Sequence, residues 1–511
     1  MADKHRVTLT LRPTGARIEL EQGAHLRDVL FEQGVEFPCG GQGRCRGCRI
    51  RVVEGDAPLN AAQTERLTTA EIASGWRLAC QLQVRTDLTI ELRQWDAAIL
   101  TNETAFAFTP REGLGVAVDV GTTTVVAQLV DRETGHVLGV RTALNPQARH
   151  GGDVMSRVQF ACSDGGQNAL EELIRREVGA LLRQALHIAG AEPSRVRRVC
   201  MVGNTVMHHL FSGVSVTPLA HYPFESEDDG LQTIEPAELG WDLPADTRVL
   251  FLPCLGSFVG SDILAGIIAT NHHESDALTM LIDLGTNGEI VLGDRNRLLC
   301  ASTAAGPAFE GARIAAGMRA STGAVWKVAA QDGRMACEVI GNVAARGICG
   351  SGLVDAVAAG LDLGYIKPGG RLANGSDALE LCDGIKLHQS DIRQLQLAKG
   401  AIAAGVRLML QQWGATAEDV SILHLAGAFG NYINRASGRR IGLIGFREDR
   451  VQPAGNTALL GARMALFAER DEDAAFASIR GKCRHIGLNE DPLFQEVYVE
   501  EMVFPGAPPA D

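Results

Sequence analysis

Val116-Ala-Val-Asp119-Val-Gly121-Thr122-Thr123-Thr124 is the stretch that decides the fold, because it recurs later in the chain as Met280-Leu-Ile-Asp283-Leu-Gly285-Thr286-Asn287-Gly288. Each copy is an apolar strand that ends in Asp-x-Gly-Thr. Each continues as a second strand to a turn, at Asp131-Arg132 or Asp294-Arg295, and is then followed by a third strand. The repeat predicts two similar lobes built on the same three-stranded unit.

The two Asp-x-Gly-Thr turns have the composition of a phosphate-binding site. Glycine lets the backbone approach phosphate closely, threonine hydroxyls and turn amides donate hydrogen bonds to phosphate oxygens, and aspartate can hold Mg²⁺ through water. One such turn is a weak signal because it also occurs in plain hairpins, but two in matching contexts indicate a nucleotide gripped from both sides. We therefore predict ATP and Mg²⁺ as ligands, with Asp119 and Asp283 as catalytic residues. The predicted nucleotide-binding residues of the turns are Gly121, Thr122, Thr123, Thr124, Gly285, Thr286, Asn287 and Gly288.

Other glycine-rich stretches fit the same site. Gly427 and Gly430 follow an apolar strand and suit packing against an adenosine. Gly350-Ser351-Gly352 opens an apolar helix, where it could bind phosphate through free backbone amides or form a tight turn before a packed helix. Glu310 lies among small residues, where it would position catalytic water or Mg²⁺, or would cap a helix. The connecting helices between the lobes are predicted at residues 202–205 and 457–462.

Four cysteines near the N-terminus form a second strong pattern. Cys39, Cys45 and Cys48 have C-x5-C-x2-C spacing in a loop with four glycines, and Cys80 follows at a distance. Three thiolates from a glycine-rich loop and one from elsewhere are the ligands of a ferredoxin-type 2Fe-2S cluster. Zinc sites usually pair C-x2-C with a second such pair or with two histidines, and neither follows here. The four cysteines are therefore predicted to hold a 2Fe-2S cluster.

The order of elements around the cysteine loop resembles the β-grasp fold of ferredoxins. Alternating apolar residues predict a hairpin over residues 7–20, a helix over 26–33, a strand over 49–53, a helix over 64–74 and a strand over 88–92. Periodicity is then lost, which is typical of a linker. The predicted organisation is a ferredoxin-like domain at 1–94, a linker at 95–113, lobes at 114–278 and 279–503, and a disordered tail at 504–511.

Composition narrows the function classes. The 511-residue chain is 46% hydrophobic and 21% charged, as expected of a globular protein with several domains. It has no apolar run long enough to cross a bilayer and no signal-peptide pattern. A formal net charge of −13 argues against nucleic-acid binding. Because a cluster needs free thiolates, a reducing cytoplasm is predicted. Arg44, Arg46, Arg49 and Arg51 surround the cysteine loop, either as a solvated rim or as a docking patch for an acidic electron donor.

The second part of the chain resembles the actin, sugar kinase and Hsp70 superfamily of ATPases, with phosphate motifs at Asp119 and Asp283 and an adenosine motif at Gly427. The resemblance implies an α/β and α+β multidomain protein, in which a β-grasp domain precedes a duplicated RNase H-like ATPase fold. The combination resembles the reductive activators of corrinoid enzymes over essentially the whole chain. Residues 145–157, 305–311 and 347–352 also resemble that family, although a separate domain between linker and ATPase is missing.

This resemblance implies an ATP-dependent reductase that passes an electron from its cluster to cob(II)alamin and forms cob(I)alamin. The implied partner is a corrinoid protein or a corrinoid-dependent methyltransferase, because the chain has no D-x-H-x-x-G motif to bind a corrinoid itself. No G-x-G-x-x-G follows a strand, so the expected electron donor is an external low-potential ferredoxin or reductase. A homodimer is left open.

Alternative functions remain at the level of sequence. The first is an electron-transfer ferredoxin whose ATPase-like part is a non-catalytic docking scaffold. The second is a small-molecule kinase with a redox sensor, for which no catalytic Asp over an acceptor hydroxyl is identified. The third is a dehydratase activator, a class that resembles proteins with a 4Fe-4S cluster shared between subunits.

Overall fold

The computed structural model describes residues 6–12, 17–32, 43, 48–91, 106–285, 287–303, 305–311, 313–430, 432–468 and 473–506. Cys39, Cys45 and Thr286 lie outside these residues, and the side chain of Glu310 is also not described. The predictions for these four residues therefore remain predictions.

The N-terminal domain is a twisted sheet with strand order β2-β1-β5-β3-β4. Val7, Leu9 and Leu11 alternate with polar residues along β1 and are buried, as their period of two predicts. The predicted helix over 64–74 is instead two short helices, because Thr68 begins the second one with a capping box to Glu71. The elements are β1 (Arg6–Arg12), β2 (Arg17–Glu21), α1 (Leu26–Glu32), β3 (Arg49–Glu54), α2 (Ala61–Arg66), α3 (Thr69–Ala73), β4 (Trp76–Leu78) and β5 (Leu88–Glu91).

The first lobe is built on a sheet with strand order β10-β11-β9-β6-β7-β8, against which the long helix α5 packs. Its elements are β6 (Leu114–Val120), β7 (Thr124–Asp131), β8 (Val137–Leu144), α4 (Val154–Ala161), α5 (Gly166–Ala189), β9 (Val196–Val202), α6 (Thr205–Ser212), β10 (Gln232–Ile234), β11 (Arg248–Phe251) and α7 (Ser261–Ala269).

The second lobe repeats this plan with the strand order β21-β20-β12-β13-β14-β22 and adds a smaller three-stranded sheet. Its strands are β12 (Thr279–Leu284), β13 (Gly288–Gly293), β14 (Leu298–Thr303), β15 (Ala324–Gln331), β16 (Arg334–Val339), β17 (Gly347–Ile348), β18 (Ala378–Cys382), β19 (Ile385–His388), β20 (Ile422–Ala426), β21 (Val451–Gly455) and β22 (Cys483–His485). Its helices are α8 (Gly350–Asp362), α9 (Gln389–Trp413), α10 (Gly427–Gly430), α11 (Arg435–Arg440), α12 (Thr457–Ala465), α13 (Asp473–Lys482) and α14 (Phe494–Glu501).

The pairing pattern confirms the duplication. In the first lobe β6 pairs antiparallel with β7 and parallel with β9, and β9 pairs parallel with β11. In the second lobe β12 pairs antiparallel with β13 and parallel with β20, and β20 pairs parallel with β21. Asp119 lies opposite Val202 in one sheet, and Asp283 lies opposite Ala426 in the other. The two Asp-x-Gly-Thr turns therefore occupy equivalent ends of equivalent sheets.

The lobes meet through α7 and α12, which pack closely on each other. A Cβ atom at Gly461 would lie only 2.1 Å from the carbonyl oxygen of Ala265, so the crossing of the two helices depends on this glycine. The prediction of a connecting helix at 457–462 agrees with α12. The prediction at 202–205 is wrong, because Val202 ends β9 and Thr205 begins α6, a helix that packs on α5 within the first lobe.

Both predicted flexible segments are partly packed. In the predicted linker, Phe106 and Phe108 contact Phe467, with the Phe108 and Phe467 ring centroids 4.3 Å apart. In the predicted tail, Phe504 is 1% exposed and its amide donates to the carbonyl oxygen of Pro368 at 2.9 Å. The predicted disorder from residue 504 is therefore wrong for Phe504, whose apolar ring completes the core of the second lobe. None of the helices in the described ranges combines the length and the apolar character that crossing a bilayer requires.

Candidate nucleotide cleft and iron-sulfur site

The two turns face a shared cavity of about 300 Å³ between the lobes. Asp119 ends β6 on one side of the cavity, and Asp283 ends β12 on the other. Most sequence-predicted residues line this cavity, and these are Asp119, Gly121, Thr122, Thr123, Thr124, Asp283, Gly285, Asn287, Gly350, Ser351 and Gly427. The structure therefore brings together residues that are more than 300 positions apart in the chain.

Three predicted residues are not among the described residues that line the cavity. A Cβ atom at Gly288 would lie 2.8 Å from the Thr303 hydroxyl, and one at Gly352 would lie 2.2 Å from the Val325 carbonyl oxygen. A Cβ atom at Gly430 would lie 3.2 Å from the Leu425 side chain and from its carbonyl carbon. The structure places these glycines in tight packing behind the cleft, where they allow neighbouring backbone segments to approach.

The first turn is held in shape by a segment that follows β8. Within the turn, the Gly121 amide donates to the Thr124 carbonyl oxygen at 3.1 Å. The Asn145 side chain donates to the Gly121 carbonyl oxygen at 2.8 Å, and the Asn145 backbone N–H donates to the Thr123 carbonyl oxygen at 2.8 Å. Arg157 donates to the Thr122 carbonyl oxygen. Three successive carbonyl groups of the turn thus accept hydrogen bonds from Asn145 and Arg157. The turn itself lines the cavity.

Arg157 is fully buried, and burial lowers its pKa to about 9. Its other oxygen acceptors are the Gly151 carbonyl group at 3.0 Å and the Gln147 side chain at 3.2 Å. A buried guanidinium is stable only when its donors are satisfied, and these acceptors come from the segment that contains Asn145. This explains why residues 145–157 form a distinct motif in the sequence.

The second turn has the same design with one residue fewer. The Gly285 amide donates to the Asn287 carbonyl oxygen at 3.0 Å. Gly427 follows the neighbouring strand with φ of +84°, and a Cβ atom there would lie 2.6 Å from both Asp283 Oδ1 and the Leu284 carbonyl oxygen. Only glycine fits this position without strain. In the first lobe Gly203 is equivalent, since its Cβ atom would lie 2.6 Å from the Val120 carbonyl oxygen.

Four carboxyl groups share the cleft, and two of them were not predicted from the sequence. Burial raises the pKa of Asp119 to about 6 against a hydrogen bond from Asn456 at 2.9 Å. Burial and then the Asp119 charge raise the pKa of Asp283 to about 7. Burial and then the Asp283 charge raise the pKa of Asp262 to about 8, and burial and then Asp262 raise that of Glu289. The carboxyl groups face each other with little compensating charge.

This arrangement fits a cation that is bound together with phosphate. Among the described residues, no three acidic, histidine or cysteine side chains converge closely enough to ligate an ion directly. Mg²⁺ commonly keeps several waters and binds through one or two carboxylates plus substrate phosphates, so Asp119, Asp262 and Asp283 would hold it through water. Asp262 follows Gly260-Ser261 at the start of α7, a polar residue opening an apolar helix, and this signal could have identified it.

Part of the cavity lining is aromatic. Phe429, from the loop predicted to bind adenosine, stacks on Phe309 with ring centroids 4.7 Å apart and an interplanar angle of 22°. Tyr432 also lines the cavity and is 41% exposed. Arg319 lies on the same wall, where burial lowers its pKa to about 10. The cavity lining therefore combines aromatic side chains with the polar turns, as a site for a base and a phosphate chain requires.

The Gly350 loop begins α8 with Cys349 as its N-cap. Its first-turn amides point toward the cleft end of the helix, and the Ser351 hydroxyl lies 3.2 Å from the Cys349 thiol. A Cβ atom at Gly350 would lie 1.8 Å from the Phe309 carbonyl oxygen. The sequence left two interpretations of this loop, a phosphate site at a helix N-terminus and a tight turn before a packed helix. The structure has a tight turn at Gly350 and a helix N-terminus at the cavity, so the two features occur together.

The predicted cluster site is supported by its described residues. Cys48 and Cys80 are both buried, and the Ala79 amide donates to the Cys48 carbonyl oxygen at 3.0 Å, which joins the two predicted ligand segments. The Gln81 side chain donates to the Cys80 sulfur at 3.6 Å. Gly43, with φ of +70°, is the position at which a Cβ atom would collide with Gln81 at 2.9 Å. These features fit a thiolate-ligated cluster, whose other predicted ligands are Cys39 and Cys45.

The fold and the sites define a two-module protein, with a β-grasp iron-sulfur domain attached to a two-lobed actin and sugar kinase type fold. Residues 9–85 match the 2Fe-2S iron-sulfur cluster binding domain. Residues 114–275 match the RACo middle region, and residues 277–509 match the C-terminal domain of RACo, the ASKHA domain.

Two named relatives and one solved structure are similar to this chain over most of its length. The chain is 34% identical over 420 residues to "Corrinoid activation enzyme RamQ" from Eubacterium limosum, covering 76% of this chain and 70% of the relative. It is 28% identical over 424 residues to "[Co(II) methylated amine-specific corrinoid protein] reductase" from Methanosarcina barkeri, covering 76% and 77%. The solved structure of a "Reductive activator for corrinoid,iron-sulfur protein" superposes with a TM-score of 0.70 at 26% identity, covering 98% of this chain and 99% of that chain. The chain belongs to the family of reductive activators of corrinoid proteins.

Proposed function

We propose that this protein uses ATP to reduce cob(II)alamin on a corrinoid protein to cob(I)alamin, with the one electron supplied by a 2Fe-2S cluster on Cys39, Cys45, Cys48 and Cys80. The observation that carries the proposal is the pairing, in one chain, of a cysteine-ligand domain with a cleft that presents two equivalent phosphate turns. The names of the two relatives, an activation enzyme and a reductase of corrinoid proteins, support the partner class.

The cleft supports ATP and Mg²⁺ because its charges require a counterion. Burial raises the pKa values of Asp119, Asp262 and Asp283, and neighbouring carboxylates raise those of Asp262 and Asp283 further. A phosphate chain alone would add negative charge, but a phosphate-bound Mg²⁺ would neutralise both partners. Closure of the two lobes around this complex would bring the two turns onto opposite sides of the same phosphates.

The energetic reason for coupling to ATP is the low potential of the cob(II)/cob(I) couple. A shift of an assumed ~200 mV in a one-electron couple corresponds to roughly 4 to 5 kcal/mol. Differential binding of one nucleotide to two conformations of the lobes is of this size. We infer that nucleotide acts by changing the lobes and their contact with the corrinoid protein, while an external low-potential ferredoxin or reductase re-reduces the protein.

The test is an anaerobic assay with the reduced, cluster-loaded protein and a corrinoid protein loaded with cob(II)alamin. Cobalt absorbance is followed with and without Mg-ATP. Cob(I) formation is expected to depend on ATP, to disappear in Cys45→Ser, and to disappear in Asp283→Ala together with nucleotide binding. An Asp283→Ala protein that binds no nucleotide and still produces the full cob(I) yield would refute the ATP-dependent function. Equal cobalt reduction without ATP would favour a simple electron carrier.

A further inference from the structure

The segment that supports the first phosphate turn also contacts the ferredoxin-like domain. Leu144 and Ala148 pack against the hydrophobic core of that domain. Between and beyond them, Asn145 and Arg157 bond the carbonyl groups of the turn. We call residues 144–157 the bridging segment. One continuous stretch of 14 residues thus contacts the iron-sulfur domain on one side and the nucleotide turn on the other.

Electrostatics place the middle of the bridging segment at the same interface. Burial, and then the Arg27 guanidinium on α1, lowers the pKa of His150. The His150 ring stacks on Phe160 of α4, with ring centroids 4.1 Å apart. Helix α1 of the ferredoxin-like domain therefore lies beside the bridging segment, and α4 fixes the segment from the other side.

The ferredoxin-like domain also contacts the second lobe. Arg49, the residue after the cluster ligand Cys48, donates to the Ala315 carbonyl oxygen. The Ala315 amide in turn donates to Asp391 of α9 at 2.8 Å. Ala315 precedes Arg319 and Ala320, which line the cleft. The domain thus spans both lobes, and its two contacts can be made together only at lobe positions compatible with both.

We propose that docking of the ferredoxin-like domain across the two lobes is linked to nucleotide binding in the cleft, with the docked domain and the bound nucleotide stabilising each other. Docking immobilises the bridging segment and so preorganises the first phosphate turn, which a nucleotide then binds at lower entropic cost. By linkage, nucleotide strengthens docking by the same factor. This inference rests on the proposed nucleotide binding.

Hydrogen exchange on the full-length, cluster-loaded protein tests the linkage under anaerobic conditions. The probe is a non-hydrolysable ATP analogue with Mg²⁺, and its Kd is measured separately by equilibrium titration. In the unsubstituted protein the analogue is expected to slow exchange in α1 at least about fivefold, the lower end of common coupling energies. Exchange in α2, a mostly exposed helix of the same domain, is the internal reference and is expected not to change.

Ala148→Glu places a carboxylate against the apolar surface of the ferredoxin-like domain without removing a bond to the turn. It is expected to speed α1 exchange and to raise the Kd of the analogue by a matching factor. Ala237→Glu is the matched control, because Ala237 is an exposed alanine of the first lobe outside the bridging segment and undergoes the same chemical change. It is expected to change neither quantity.

Several results would overturn the linkage while leaving the proposed function intact. These are tight binding of the analogue without slower α1 exchange, equal slowing of α1 and α2, and an Ala148→Glu protein in which α1 is released but the Kd is unchanged. Unaltered α1 exchange in Ala148→Glu would show that this contact does not hold the domain, which also refutes the proposal. Absence of analogue binding in the unsubstituted protein would instead refute the proposed function, and the linkage with it. If Ala148→Glu fails to fold, the effect of the analogue on α1 exchange in the unsubstituted protein still decides whether the linkage exists.

Discussion

Raising the pH is expected to destabilise the nucleotide-free protein through Asp283. The pKa of this carboxyl group is about 7 in the folded protein, against an ordinary value of 3.8. Between these values the folded state holds a proton that the unfolded state has released, so the free energy of unfolding falls as the pH rises and becomes level above about pH 7. Replacing Asp283 with Asn removes the contribution of this group to the slope, because the amide does not titrate.

The size of this effect on the free energy of unfolding follows from the pH interval in which Asp283 is protonated only in the folded state. Each unit of pKa difference corresponds to about 1.4 kcal/mol, so the pH interval from 5 to 7 gives at most ~2.7 kcal/mol for one group. Asp283 is only partly buried and faces the cavity, where water screens its charge. We therefore expect the stability of Asp283→Asn relative to the unsubstituted protein to increase by roughly 1 to 2 kcal/mol between pH 5 and pH 7.

Urea unfolding at pH 5, 6, 7 and 8 measures this difference directly, and Asp246→Asn is the control because Asp246 is an exposed carboxylate. Mg²⁺ with nucleotide is expected to restore stability most at pH 8, since the carboxylates that hold the cation are then ionised. A stability difference between Asp283→Asn and the unsubstituted protein that stays constant from pH 5 to pH 8 would refute the idea of an uncompensated carboxyl cluster in the cleft.

Three further substitutions test separate parts of the structure. Gly461→Val is expected to destabilise the contact of α7 with α12, because a Cβ atom there lies 2.1 Å from the Ala265 carbonyl oxygen, and a melting temperature that does not fall would contradict this packing. Phe504→Ala is expected to cost about 3 to 5 kcal/mol in urea unfolding as a buried aromatic ring is lost, whereas truncation after residue 506 is expected to cost little. Arg157→Lys keeps the charge but cannot hold the Thr122 carbonyl of the turn and the Gly151 and Gln147 acceptors together, so the Kd for nucleotide is expected to rise about tenfold by titration, with Arg183→Lys on the surface of α5 as the control.

Much of the site could be predicted from the sequence because its main residues are close together in the chain. Asp119, Gly121 and Thr122 are consecutive or nearly so, and the strand before them has a simple period. Strand pairing then carries this local pattern into equivalent positions of two sheets. The glycine requirement at Gly427 is also local, since it follows from one positive φ and one close backbone approach.

The missed residues depend on contacts between distant segments. Asp262 and Glu289 belong to the cleft only because α7 and β13 converge there. Glu289 has no motif of its own, and the sequence signal of Asp262 is limited to a polar residue at the start of an apolar helix. The role of Arg157 is similarly hidden, because its acceptor at Thr122 is 35 residues away. The same limit explains the error at Phe504, where a Pro-rich terminal stretch is typical of disorder but the preceding ring fills a gap in a remote core.

Helix α12 contacts the cleft at its N-terminal end and the linker at its C-terminal end. It follows a strand of the second lobe, yet its N-cap residue Asn456 bonds Asp119 of the first lobe at 2.9 Å. At its other end the carbonyl oxygens of residues 466, 467 and 468 accept bonds from first-lobe Arg132, linker Arg111 and first-lobe Arg198.

Phe467, at the end of α12, also packs on Phe106 and Phe108 of the segment that leads back to the ferredoxin-like domain. A cation or nucleotide that changes the charge of Asp119 thus acts on a helix whose far end holds the linker. The bridging segment therefore joins the cleft to the ferredoxin-like domain, and α12 joins the cleft to residues 106–111, which follow that domain in the chain. A nucleotide bound in the cleft acts on both contacts, which is the basis of the proposed linkage between nucleotide binding and docking.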